Sequence, residues 1–68
     1  MIQQFAVEFD SGTGVPRVVA VPPTMYKEFT AYFDTPVKAI TYTLEEFTGS
    51  VHVWAQLEEL FARFKEVE

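Results

Sequence analysis

The sequence predicts an α+β domain in the order β-β-α-β-α, a three-stranded sheet with both helices packed on one face. Three observations predict it. Residues 2–9 and 15–21 are apolar runs joined by a glycine-containing turn, the pattern of a β-hairpin. Residues 50–67 carry one directed apolar stripe at helical spacing. Between them, a helix-like stretch at 24–33 precedes a β-branched and aromatic run at 37–44. The second strand, the helix and the third strand then form a crossover, right-handed if the strands end parallel.

In the first strand Phe5, Val7 and Phe9 point one way and Gln4, Ala6 and Glu8 the other. Asp10-Ser11-Gly12-Thr13-Gly14 is a cluster of turn formers. Pro16 lacks an N–H and fits the start of the second strand or a sheet edge. Pro22-Pro23 ends that strand and Thr24 is placed to cap a helix, with Met25, Tyr26, Phe29, Tyr32 and Phe33 sharing one side. This helix is expected to stop near Asp34, because Thr35 precedes Pro36.

In 37–44, Ile40, Tyr42 and Leu44 alternate against Ala39, Thr41 and Thr43, which reads as a third strand. Thr43-Leu44-Glu45-Glu46 also fits a capping box that starts a helical turn. One helix running from 44 to 67 fails the phase test, so a break falls at Thr48-Gly49 with a new cap at Ser50. In the final helix Val53, Leu57, Leu60, Phe61, Phe64 and Val67 fall within one arc, with Trp54 at its edge. A short strand at Val51–Trp54 is the competing reading. Ala6, Glu8, Ala39, Thr41 and Thr43 are expected on an open sheet face.

Sixty-eight residues amount to one domain, 1–68, whose stability is marginal without help. Cysteine is absent, which excludes disulfides, thiolate zinc sites and cysteine nucleophiles. The chain is 49% hydrophobic and 16% aromatic, more large rings than so small a core easily hides, so a homodimer is expected. Ten acids against five bases give a formal charge of −5. That balance argues against direct nucleic-acid binding and against docking on anionic membrane. No apolar run approaches transmembrane length, and Met1-Ile2-Gln3-Gln4 lacks a basic signal-peptide region, so a cytoplasmic protein is expected.

Catalytic signals are weak. Glu45-Glu46 and Glu58-Glu59 are adjacent pairs, and adjacent helical carboxylates splay apart instead of facing each other as an acid/base pair must. A solvated face is the simpler reading, with Glu59 and Arg63 as an i,i+4 pair. His52 is the single histidine; with one carboxylate nearby it makes no metal site, and a surface histidine is expected. Gly12-Thr13-Gly14 lacks the Gly-Lys-Ser/Thr of a phosphate loop. Ser11 and Ser50 have no activating base, so no triad is assigned. Tyr26, Phe29, Tyr32, Phe33 and Trp54 lack the positive groove of a nucleic-acid stacking platform and read as core. No enzyme activity and no cofactor are expected.

Two features point to a protein partner. Residues 45–68 hold six acids against two bases. Val51, Ala55 and Ala62, with Glu58 between them, form a small-residue flank away from the main stripe of the last helix. Glu45, Glu46, Val51, Ala55, Glu58, Glu59 and Ala62 are therefore the candidate partner-binding residues. The expected function is that of an acidic interaction module, an inhibitor or modulator of a partner protein. In size and charge it is similar to the small inhibitors encoded by phages and mobile elements, some of which occupy a basic nucleic-acid-binding groove. The alternative is an accessory subunit that assembles through an edge strand or aromatic surface.

Val19-Ala20-Val21-Pro22-Pro23-Thr24-Met25-Tyr26-Lys27-Glu28-Phe29 resembles the strand, Val-Pro and Tyr-containing helix passage of the small KTSC domains. The rest of the chain has no counterpart to that family's other signature residues, so the resemblance assigns no site.

Overall fold

The structure, a computed structural model, describes residues 3–28 and 31–67, with backbone alone at 26–28. The chain opens with the expected hairpin. Strand β1, Gln4–Phe9, pairs antiparallel with β2, Pro16–Val21, in a register running from Gln4↔Val21 to Phe9↔Pro16. Asp10 organises the turn. Its Oδ1 accepts from the Gly12 and Thr13 N–H groups at 2.8 and 2.9 Å, and its carbonyl accepts from the Gly14 N–H at 2.8 Å. Gly14 takes a φ of 75°, a left-handed conformation open to glycine at no steric cost. On the strands, Arg17 donates to Glu8, its cross-strand partner.

The face assignment of the hairpin differs from the expected one. Ala6, placed on the open face, is 3% exposed, and Val21 on the same side is 2% exposed. Phe9, placed toward the core, is 40% exposed, although Pro16 opposite it is buried. Both sides of the hairpin therefore carry buried residues. A two-stranded ribbon is too narrow to be stable with one side in water.

The expected helix over 24–33 is corrected to a 3-10 helix at Pro23–Glu28, opened by the Met25 N–H donating to the Pro22 carbonyl at 2.9 Å. Phe29 and Thr30 lie outside the described residues. By Phe33 the backbone is extended. Phe33 exchanges both of its hydrogen bonds with Phe5, N–H to carbonyl at 2.8 and 2.6 Å, along the edge of β1 away from β2. That bridge keeps residue 33 out of the expected helix: its backbone cannot serve a helical ladder and a sheet edge together.

The larger correction concerns 37–44. It is not a third strand but the body of helix α1, Pro36–Glu46, so among the described residues the sheet has two strands and the element order is strand, strand, 3-10 helix, helix, helix. Thr35-Pro36, read as a stop for the preceding helix, is instead a start. The Thr35 hydroxyl accepts from the Lys38 N–H at 3.2 Å, and Pro36 sits in the first turn, where its missing N–H has no helical partner to lose. Thr41 and Thr43 fit the helix by donating their hydroxyls to the Val37 and Ala39 carbonyls one turn back, both at 2.8 Å. Burial follows a 3.6-residue period: Ala39 and Ile40 are buried, Thr43, Leu44 and Phe47 half-buried, and Lys38, Thr41, Tyr42 and Glu45 exposed. Ala39, expected on an open sheet face, is 1% exposed. Asp34 and Lys38 add an i,i+4 ion pair at 3.0 Å across the helix start.

Phe47 is extended and ends α1. Helix α2 spans Val51–Val67, so 51–54 is helical and not strand. Ser50 caps it, its hydroxyl accepting from the Val53 N–H at 3.3 Å and its carbonyl from the Trp54 N–H at 3.0 Å. Leu57 is the fully buried centre of the α2 stripe, flanked by half-buried Val53, Leu60, Phe61 and Phe64; Val67, at the end of the same stripe, is 81% exposed. Helix α1 lies against β1 and α2, and α2 against β2. Ile40 and Leu57, both at 0% exposure, anchor the two helices, each burial contributing roughly 1.5–3 kcal/mol.

Candidate functional site

A groove of about 480 Å³ lies between β1 and α1. It exists because 37–47 is helical. Ala39 and Thr43, one turn apart on α1, line it together with Val7 and Phe9 of β1 and with Phe33, which is bridged to Phe5. Its rings come in two pairs. Phe33 and Tyr42 are 5.3 Å apart between centroids and tilted by 42°. Phe9 and Phe47 are 5.9 Å apart and stacked at 20°. Phe47 also meets Trp54 of α2 at 6.4 Å. The Phe47 ring lies over Gly49, where any Cβ would overlap it. Glu46 is the one carboxylate among the described residues that line the groove.

A smaller recess of about 180 Å³ separates the hairpin end from α2, with Val15 and Pro16 on one side and Gln56, Glu59, Leu60 and Arg63 on the other. Glu59 and Arg63 share its wall but form no ion pair, contrary to expectation; the ion pairs among the described residues join Arg17 to Glu8 and Asp10, and Lys38 to Asp34. None of the carboxylates Glu45, Glu46, Glu58, Glu59 or Glu66 is paired there.

All seven candidate partner-binding residues are exposed: Glu45, Glu46, Val51, Ala55, Glu58, Glu59 and Ala62, with Val51 at 83%. Val51, Ala55, Glu58 and Ala62 follow one another at helical spacing along α2. Glu46 and Glu59 line separate recesses, so the seven do not converge on one pocket. The groove rings Phe9, Tyr42 and Phe47 were not among the sequence candidates. Their grouping required α1, and nothing in the local pattern joins Phe9 to Phe47 across 38 positions of sequence.

The remaining polar features have structural roles. The Asp10 carboxyl is held below its ordinary value, chiefly by the Thr13 backbone N–H, then by the Gly12 N–H, the Thr13 hydroxyl and the nearby Arg17. Arg17 is pushed up by its hydrogen bond to and charge attraction from Glu8, with Asp10 adding. Gly12-Thr13-Gly14 thus wraps a carboxylate of its own chain. His52 is exposed on the first turn of α2. Among the described residues no group of three His, Cys, Asp or Glu side chains could hold a metal ion. No helix among them is long and apolar enough to cross a membrane. Of the rings weighed as a stacking platform and read as core, Phe33 contacts Tyr42 and Trp54 contacts Phe47, Tyr32 and Trp54 are 38% and 36% exposed, and the side chains of Tyr26 and Phe29 lie outside the described residues.

Comparison of the chain with protein-family models, with curated proteins and with solved structures finds no match. The likeness of Val19–Phe29 to the KTSC passage therefore extends no further than its strand-to-turn grammar.

Proposed function

We propose that this chain is a small acidic interaction module that binds a partner protein in the cytoplasm and inhibits or modulates it. One observation carries the reading: the carboxylates of Glu45, Glu46, Glu58 and Glu59 are exposed, have no cationic partner among the described residues, and lie on helices that also expose Val51 and Trp54. Unpaired carboxylates beside apolar surface leave their field available to a basic partner, which sets association rate and register, while the apolar residues supply contact area. A basic nucleic-acid-binding groove on another protein is a surface of that kind. The test is capture of a protein from host lysate, repeated across a salt series and with Glu58→Lys/Glu59→Lys. The expected result is a captured protein whose binding weakens with salt and is lost on charge reversal. Recovery of nucleic acid without protein, or capture indifferent to both changes, refutes the reading.

A second reading rests on the hairpin. Among the described residues β2 pairs only with β1, whereas β1 is engaged on both sides at Phe5. The outer edge of Pro16–Val21 is then available for assembly with a second copy or a larger sheet. Light scattering separates the two: a concentration-dependent dimer insensitive to salt favours assembly, and a monomer at high concentration counts against it.

A further inference from the structure

The register of the hairpin decides which way the backbone groups of β1 point. Along an antiparallel pair, residues that exchange hydrogen bonds with the partner strand alternate with residues whose N–H and C=O point away from it. The Asp10 N–H donates to the Val15 carbonyl at 3.0 Å, so bonded pairs recur at Glu8↔Arg17, Ala6↔Val19 and Gln4↔Val21. Phe9↔Pro16, Val7↔Val18 and Phe5↔Ala20 are then the non-bonded pairs. Two observations agree with this phase. Pro16 has no N–H to give, and Phe5 uses both of its groups on Phe33, at the edge away from β2. The N–H and C=O of Val7 and Phe9 therefore point to that same outer edge. Ala31, two residues before Phe33, would meet Val7 if the pairing continued, but no bond joins them. Among the described residues, the outer edge of β1 is paired at Phe5 and open at Val7 and Phe9.

Val7 and Phe9 also line the groove against α1, so its walls are an open strand edge and a helix. The outer edge of β2 differs: its outward residues Val18 and Ala20 line neither recess. An open edge selects its occupant. The donor and acceptor of Val7 recur on Phe9 about 7 Å along the strand, a spacing that another extended main chain matches group for group. The sign of charge follows from the opposite wall. Glu46 is its carboxylate, no Lys, Arg or His stands among the described lining residues, and the chain is net −5. A basic side chain reaching that wall meets a complementary charge. We propose that the groove binds an extended segment of a partner protein as an added strand on the outer edge of β1, paired through Val7 and Phe9, with a basic side chain directed to Glu46. This rests on the reading of the chain as a protein-binding module and names its mode of recognition.

The test is amide hydrogen exchange read by NMR on the isotope-labelled full chain, first alone and then with acetyl-Val-Arg-Val-Arg-Val-amide. Alone, the Ala6 and Glu8 amides are expected to be protected, and those of Val7 and Phe9 to exchange at least about 10-fold faster. Equal protection overturns the open edge. With peptide, exchange at Val7 and Phe9 is expected to slow by 1 + [L]/Kd, about 3-fold at twice the Kd. Two comparison peptides are the arginine peptide N-methylated at its second and fourth residues, or at its first, third and fifth. A strand turns alternate N–H groups to one edge, so one methylated form is expected to lose binding and the other to keep it. The same effect from both methylation patterns, or no slowing at Val7 and Phe9 with millimolar peptide, overturns the proposal. The glutamate counterpart, acetyl-Val-Glu-Val-Glu-Val-amide, is expected to bind more weakly, and Glu46→Lys, at an exposed position, to reverse that preference with the amide spectrum still folded. Equal affinity for the two peptides overturns the basic character of the segment. If the peptides fail while lysate capture succeeds, the groove proposal falls and the partner-binding reading stands; the opposite pattern retains the strand addition and removes the partner reading.

Discussion

Gly49→Ala tests the packing that joins the two helices. Gly49 does not occupy the left-handed region, so alanine is not excluded by backbone conformation; what excludes it is the Phe47 ring lying across the position a Cβ would take. The ring is held between Phe9 at 5.9 Å and Trp54 at 6.4 Å and cannot yield without leaving one or both. Each aromatic pair is worth about 0.5–1.5 kcal/mol beyond its buried area. Against that, alanine lowers the entropy of the unfolded chain and returns about 0.4–1 kcal/mol. The net expectation is a loss of about 1 kcal/mol, a fall in Tm of about 4–8 °C for a domain of this size. The assay is urea unfolding followed by Trp54 fluorescence, run as a double-mutant cycle with Phe47→Ala. In the Phe47→Ala background the obstacle is gone, and Gly49→Ala is expected to be neutral or to stabilise by about 0.4–1 kcal/mol. The same penalty in both backgrounds refutes the reasoning, since the cost then lies in the backbone; a stabilising Gly49→Ala in the parent chain refutes the ring's placement.

Two further outcomes follow from the core and the turn. Leu57→Ala is expected to cost about 2–5 kcal/mol and to leave much of the chain unfolded in water by circular dichroism, whereas Val51→Ala, at 83% exposure, is expected to stay within about 0.5 kcal/mol. Because the folded state depresses the Asp10 carboxyl, its contribution is present above the ordinary value of 3.8 and is lost as pH falls through the lower, folded value. Asp10→Asn keeps an oxygen for the Gly12 and Thr13 N–H groups but does not titrate, so the loss of stability on acidification in urea melts below that pH is expected to become shallower.

The segment 37–47 shows where sequence patterning stops being decisive. Its residues satisfy two periods at once. Ile40, Tyr42 and Leu44 alternate as in a strand, while Ala39, Ile40, Thr43, Leu44 and Phe47 recur as on a helix. The β-branched content favours the first pattern, and the local signal for the second, Thr35-Pro36, serves equally as an end of one element and the beginning of another. The threonines remove part of the helical penalty by hydrogen bonding one turn back, a compensation that composition does not display. The candidate surface on α2 was legible because exposure on a long helix follows from phase alone. The groove was not, since its walls come from β1, the bridge at Phe33 and α1 together.

By itself the sequence determined the features that local chemistry controls: the hairpin with its Asp-and-glycine turn, the break before Ser50, the cap there, and the buried stripe centred on Leu57. Tertiary structure decided what local chemistry left balanced: the helical state of 36–46, the burial of Ala6 on a face expected to be open, and the joining of Phe33 to Phe5. The physical reason is the same in each case. A 68-residue chain can bury only a limited share of its surface, and the conformation that buries Ala39, Ile40 and Leu57 together prevails over the preference of any one segment.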